Sequence, residues 1–210
     1  MSRSDSPAVT VAMTGASGAQ YGLKLIEYLV AAGRRVYLMI SKPARIVISS
    51  ETDLSLPART ADMARFFSAR FDAEKDQIRV FGPEEWTAPV ASGTGAPRVM
   101  AVCPCTMGTL SSIAVGASKN LIERAADVVL KENGKLILVP RETPLSAIHL
   151  ENMLKLAKLG VIVLPANPGF YYRPASIDDL VDFVVARVLD QMQVPHSLVP
   201  AWGEASGERT

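Results

Sequence analysis

The sequence predicts a single α/β domain in three layers, a parallel sheet with helices on both of its faces. Two observations carry this expectation. Short, near-continuously apolar runs alternate with longer segments of helical spacing, and every apolar run ends in a polar or glycine-rich exit. Strands buried on both faces read as unbroken apolar runs, and β–α alternation forces a parallel sheet covered on both sides. A chain of 210 residues is long enough for a core that needs no disulfide or metal to hold it.

Strands are expected over residues 8–13, 35–40, 99–103, 135–139 and 161–164. After the first, Leu23, Ile26 and Val30 keep helical spacing and Gly33 supplies a stop. A second helix is placed near 42–50, with Ser41 as its cap, and a helix-like segment around 61–71. The stretch 52–98 is otherwise less regular and ends near a Ser92-Gly93-Thr94-Gly95 loop. Helices follow over 120–130 and 146–159. The last runs from 177 to about 192, opened by Ser176 with Asp179 three residues on, a capping box. One domain spans 1–210, with residues 1–7 and about 203–210 expected as flexible tails.

Composition narrows the function. With 22 basic and 21 acidic residues the net charge is +1, so no bulk attraction draws the chain to nucleic acid or to a membrane surface. Aromatics at 6% are too few for a platform that stacks bases. No apolar run approaches the ~18 residues of a span, and the N-terminus lacks a leader's apolar stretch. A cytoplasmic protein is expected. Cys103 and Cys105 flank Pro104, and His149 and His196 lie far apart, so no metal site is expected. Both cysteines read as structural thiols, because the first belongs to a buried strand and no base adjoins either.

The chemistry collects at the strand exits. They read Thr14-Gly15-Ala16-Ser17-Gly18, then Ser41, then Thr106-Met107-Gly108-Thr109, then Arg141-Glu142, and last Asn167-Pro168-Gly169-Phe170-Tyr171-Tyr172. In a parallel sheet all five lie on one edge, where open α/β sheets bind ligands. The first exit presents N–H groups and Ser17 at a helix start, a seat for an anion. It is neither G-x-G-x-x-G nor a Walker loop, so a bare turn, a nucleotide and a flavin all stay open. Ser41 and the hydroxyls of Thr106 and Thr109 fit capping or binding equally. Arg124 and Lys131 are seven apart on one helix face with Asp127 between them, a solvated ion-paired face or an anion site. Arg187 borders the last helix's apolar stripe, where it snorkels or binds. Glu51 reads as an ordinary acid at a helix end, and Tyr171 as packing or a ligand wall. Asp178-Asp179-Leu180-Val181-Asp182 spells D-D-x-x-D. It is read as a decoy, because acids are favoured in a helix's first turn.

Several blocks together resemble one family. Thr14-Gly15-Ala16-Ser17-Gly18-Ala19-Gln20-Tyr21-Gly22 is similar to the opening loop of the UbiX/Pad1 flavin prenyltransferases. So are Asn120-Leu121-Ile122-Glu123-Arg124-Ala125-Ala126-Asp127-Val128, Val139-Pro140-Arg141-Glu142-Thr143-Pro144, His149-Leu150-Glu151-Asn152-Met153, and the block from Pro165 to Tyr171. The resemblance implies a flavodoxin-like (Rossmann-like) three-layer fold, assembled as a homo-oligomer, a dodecamer with active sites where subunits meet. It implies a metal-independent transfer of the dimethylallyl group of dimethylallyl monophosphate to N5 and C6 of reduced FMN. The prenylated FMN then serves a partner UbiD-type decarboxylase, often in ubiquinone synthesis.

Carried over by residue, the resemblance gives Gly15, Ala16, Ser17, Ser41, Thr106, Met107, Gly108, Thr109 and Arg141 as FMN contacts. Arg124, Lys131, Glu142, Tyr171 and Arg187 become the substrate cradle, partly from adjacent subunits. Ser17, Glu51 and Glu142 manage protons, and Trp202 closes the site, with Ala201 before it where some relatives have arginine. Such cations suit a departing phosphate, and aromatic rings suit an allylic cation. Two alternatives remain beside it: a flavin-dependent cysteine-type decarboxylase of the same fold, and a non-catalytic FMN carrier.

Overall fold

The computed structural model describes residues 8–199. Its strands are β1 (Val9–Met13), β2 (Val36–Ile40), β3 (Ile78–Phe81), β4 (Val99–Cys105), β5 (Lys135–Pro140) and β6 (Ile162–Val163). They pair in parallel in the order β3-β2-β1-β4-β5-β6. The helices are α1 (Ala19–Ala31), α2 (Lys42–Glu51), α3 (Thr60–Arg70), α4 (Met107–Ala114), α5 (Leu121–Lys131), α6 (Ala147–Lys158) and α7 (Ile177–Met192).

Strand alternation divides the core in two. Val9, Val11 and Met13 of β1, Leu38 of β2 and Val139 of β5 pack with Leu25, Ile26 and Leu29 of α1, Phe67 of α3 and Val184, Val185, Val188 and Leu189 of α7. On the other face Ala12, Met100, Val102 and Leu138 meet Leu110 of α4, Ala125 and Val129 of α5 and Leu156 of α6. This is the three-layer α/β architecture, and each such buried aliphatic side chain contributes about 1.5–3 kcal/mol. Gly22 of α1 is part of the fit. A Cβ there would stand 2.4 Å from the Cys103 carbonyl oxygen, so the helix can lie against β4 only without one.

Five of the six strands are the expected ones, and in sequence order those five lie 2-1-3-4-5, the flavodoxin-like arrangement. The sixth, β3, adds an edge beside β2 inside the stretch that reads as irregular. It was hidden because it is short and one-sided: Ile78, Val80 and Phe81 are buried while Arg79 is exposed. The Arg79 guanidinium covers the rings of Tyr37 and Phe81 at 5.4 and 5.1 Å. The strand expected over 99–103 runs on to Cys105, with a register shift between Val102 and Cys105 and a cis Cys103–Pro104 bond. The strand expected over 161–164 contracts to β6, and its neighbour Leu164 still donates to the Leu138 carbonyl at 2.8 Å.

The chain order reverses between β1 and β4. Their carboxyl ends, continued by α1 and α4, frame the crevice where a doubly wound sheet takes its ligand. No helix among the described residues is long and apolar enough to cross a membrane.

Candidate active site

The β1 exit is tight. A Cβ on Gly15 would fall 2.5 Å from Cβ of Pro43, at the start of α2. Gly18 precedes α1 with φ +100° and offers no side-chain cap. The cap comes from α2 instead. Glu51, the last residue of that helix, accepts from the N–H groups of Gly18 and Ala19 through one oxygen, both at 2.9 Å. Burial would raise the Glu51 carboxyl, but the Ser17 hydroxyl, those two N–H groups and the charge of Arg141 together hold it below the usual carboxylate value. The first turn of α1 therefore already holds an anion. Glu51 takes the N–H groups of Gly18 and Ala19, and not those of Gly15, Ala16 and Ser17, where the flavin contacts are expected.

The β4 exit is the open counterpart. Thr106 caps α4, accepting from the Thr109 N–H at 3.2 Å and donating to the Thr109 hydroxyl at 3.0 Å. Its own N–H is taken by Thr14 Oγ1 at 2.8 Å. That leaves the N–H groups of Met107 and Gly108, which a helix cannot pair internally. Gly108 is exposed, and a Cβ on it would meet nothing nearer than the Thr106 hydroxyl at 4.0 Å. Nothing in the protein demands a glycine there, whereas a ligand lying on the turn would. The Met107 side chain is buried in the second core, so only its backbone is left to serve a ligand.

Ser41 caps α2, accepting from the Ala44 N–H at 3.1 Å, and its own N–H donates to the Met13 carbonyl at 3.0 Å. At the β5 exit the Arg141 N–H donates to the Cys105 carbonyl at 3.3 Å, and Nε of its side chain is buried without a partner. A buried guanidinium nitrogen in that state is a donor waiting for an acceptor. Arg141 and Glu142 line a cleft of about 360 Å³ with Pro140, Leu145, Met153 and Asn167. Glu142 is exposed and, among the described residues, accepts from the Thr143 N–H at 3.1 Å. Tyr171 follows β6 and packs edge-on to Tyr172 and Phe183 at 5.7 and 5.8 Å.

Thus Gly15, Ala16, Ser17, Ser41, Thr106, Met107, Gly108, Thr109 and Arg141 lie at strand exits on one sheet edge, as expected, and Glu51 reaches that edge from the end of α2. Three residues do not join them within the chain. Arg124 is bound to Asp127 at 2.8 Å and to the Ala91 carbonyl at 3.1 Å on the flank of α5. Lys131 ends α5 just before β5 begins, at the opposite edge of the sheet, and pairs with Glu132. Arg187 lies nearly three turns along α7 and pairs with Asp190 at 2.6 Å. Trp202 and Ala201 lie outside the described residues.

Sequence reading missed Thr14. It is 3% exposed and links the first exit to the third. A hydroxyl directly after the last residue of a buried strand was the available signal.

Within the acidic D-D-x-x-D segment, Asp179 serves the start of α7. Asp179 accepts from the N–H groups of Ala175 and Ser176 at 2.7 and 3.1 Å, completing the capping box of α7. Burial pushes the Asp182 carboxyl up, and Asp178 and Asp179 add to this. Both cysteines are fully buried; burial raises Cys103, and it pushes Cys105 up to about 12, so neither is a ready thiolate.

Comparison with known proteins points one way. A family model described as Flavoprotein matches residues 2–189. The chain is 57% identical over 196 residues to the flavin prenyltransferase UbiX of Pseudomonas aeruginosa, covering 93% of this chain and 94% of that one. Its structure is similar to that of AnUbiX (PadA1) in complex with FMN and dimethylallyl pyrophosphate, with a TM-score of 0.83 and 38% identity over 94% and 97% of the two chains. It is also similar to a dodecameric FMN-dependent UbiX-like decarboxylase from Escherichia coli O157:H7, with a TM-score of 0.82 and 42% identity over 93% and 98%.

Proposed function

This chain belongs to the UbiX flavin prenyltransferase family, and we propose that its sheet-edge site joins the dimethylallyl group of dimethylallyl monophosphate to N5 and C6 of reduced FMN. The observation that carries the placement is the pairing of an open first turn of α4 with a buried, unpartnered Arg141 Nε on the same edge. A flavin mononucleotide fits this donor set. The N–H groups of Met107 and Gly108, with the Thr109 hydroxyl, suit a phosphate at a helix start. Gly15, Ala16 and Ser41 line the flavin's other contacts, and Arg141 supplies a fixed positive charge.

When bound, reduced FMN supplies the nucleophile; the protein positions, shields and moves protons. Ser17, hydrogen-bonded to Glu51, holds a proton where the β1 exit meets the flavin. Glu142, an exposed residue of the cleft, is the acceptor for the proton lost when C6 is substituted. Arg141 and the cations of the cradle stabilise the departing phosphate without a metal. Tyr171, exposed after β6, offers an aromatic wall, with Trp202 closing the site.

Arg124, Lys131 and Arg187 reach such a site only from adjacent copies, so the proposal includes a homo-oligomer, a dodecamer. Leu150 and Leu154, one turn apart on α6, stand exposed, and Met153 beside them lines the cleft. That apolar face supports copy-to-copy contact next to the site. Transfer of the prenylated flavin to a UbiD-type decarboxylase in the cytoplasm completes the reading. A cysteine-type decarboxylase is disfavoured because that class uses a histidine early in the chain, whereas the first here is His149, and because its Asn-bearing substrate motif is replaced by Pro140-Arg141-Glu142-Thr143.

The test is incubation with reduced FMN and dimethylallyl monophosphate, followed by mass analysis of the released flavin. A flavin heavier by one dimethylallyl unit is expected, with EDTA present or absent. Unchanged FMN, or turnover lost on chelation and restored by magnesium, would contradict it.

A further inference from the structure

Thr14 closes β1 at the point where the sheet reverses, and both functions of its hydroxyl are in use. Oγ1 donates to the Pro104 carbonyl at 2.9 Å and accepts from the Thr106 N–H at 2.8 Å. The Thr14 N–H also donates to Pro104, at 3.1 Å. The regular pairing of β1 with β4 runs only from Thr10–Met100 to Ala12–Val102. Beyond it β4 is irregular, and Pro104 has no N–H to give to a ladder. The Thr14 side chain therefore replaces the missing ladder bonds. It ties the residue immediately before Gly15 to the residue that caps α4.

We infer that Thr14 is a positioning residue for the flavin: its buried hydroxyl fixes the spacing between the β1 exit and the first turn of α4. This rests on the proposed flavin site, whose two loops these are. The hydroxyl touches no reacting atom. It sets where Ser17 stands relative to the N–H groups of Met107 and Gly108, and it keeps the Thr106 N–H out of the ligand's reach. A shift of a fraction of an ångström between the two loops would misalign donors that must engage one rigid molecule together.

The substitutions are Thr14→Val, which keeps the shape and removes both hydrogen bonds, and Thr14→Ser, which keeps the hydroxyl. Each is assayed for oxidised FMN affinity by fluorescence titration, and for KM and kcat with reduced FMN. Thr14→Val is expected to weaken FMN roughly 10-fold or more, with KM for FMN rising, as two buried hydrogen bonds would predict. Thr14→Ser is expected to restore affinity to within about twofold. A folded Thr14→Val with wild-type affinity would overturn the inference. Wild-type protein that does not bind FMN would overturn the flavin site itself, a different result. Amide exchange on the FMN-free wild-type protein needs no variant. The Thr106 N–H should exchange far more slowly than those of Met107 and Gly108, and equal rates would also overturn the inference.

Discussion

Helices α1 and α4 start side by side at the reversal of the sheet, each after a buried strand, yet their first turns are in opposite states. Glu51 already fills the start of α1, both N–H groups bound at 2.9 Å. The start of α4 satisfies only Thr109, through the Thr106 cap. A helix N-terminus attracts an anion wherever it is exposed. What decides its use is whether the protein supplies the anion itself. The glycine-rich turn, the more conspicuous of the two in sequence, is the one that the protein closes.

The contrast breaks most readily at α4. Gly108→Asp places a carboxylate on the open turn and fills the space over it. FMN affinity is expected to fall roughly 30-fold or more, equivalent to about 2 kcal/mol of repulsion and lost donors, measured by titration. Affinity within twofold of wild type would mean that the phosphate lies elsewhere.

At α1 the same logic predicts a stability effect. Glu51→Ala leaves two N–H groups without their acceptor and is expected to lower unfolding stability by about 1–3 kcal/mol in urea. Added inorganic phosphate should recover part of that loss in the variant and do little for wild type. Equal stabilisation of both proteins would show that the α1 turn was never closed.

A smaller effect lies in pH. The Glu51 carboxyl is held below its ordinary value in the fold, so its contribution is complete above about pH 4.5. That contribution disappears as pH falls through the lower, folded value. Replacing the carboxylate by Glu51→Gln should flatten this part of the acid limb of the stability curve, and an unchanged limb would contradict the assignment. Least affected is a third helix start, that of α7, also closed internally by Asp179. Ser176→Ala is expected to lower stability by about 1 kcal/mol and leave FMN affinity unchanged.

These pairs also show what a sequence displays and what it conceals. The five polar exits were visible because each follows directly on an apolar run, and the capping residues Ser41, Thr106 and Ser176 stand one residue before the helices they open. Glu51 was legible as an acid at a helix end and, through the family resemblance, as a proton-handling group. Its closure of α1 spans 33 residues of chain, which local pattern cannot reveal. Strand β3 was concealed by its length of four residues and its exposed Arg79. Thr14 acts across 92 residues, through a hydroxyl that looks like any polar end to a strand. Arg124, Lys131 and Arg187 lie beyond the reach of a single chain's geometry, because their proposed role needs a neighbouring copy.

The most direct test is a crystal structure of the protein with FMN bound. The flavin's phosphate is predicted on the first turn of α4, against the N–H groups of Met107 and Gly108, with Glu51 still accepting from Gly18 and Ala19. A phosphate seated on Gly18 and Ala19, with the Glu51 carboxylate displaced, would contradict the account.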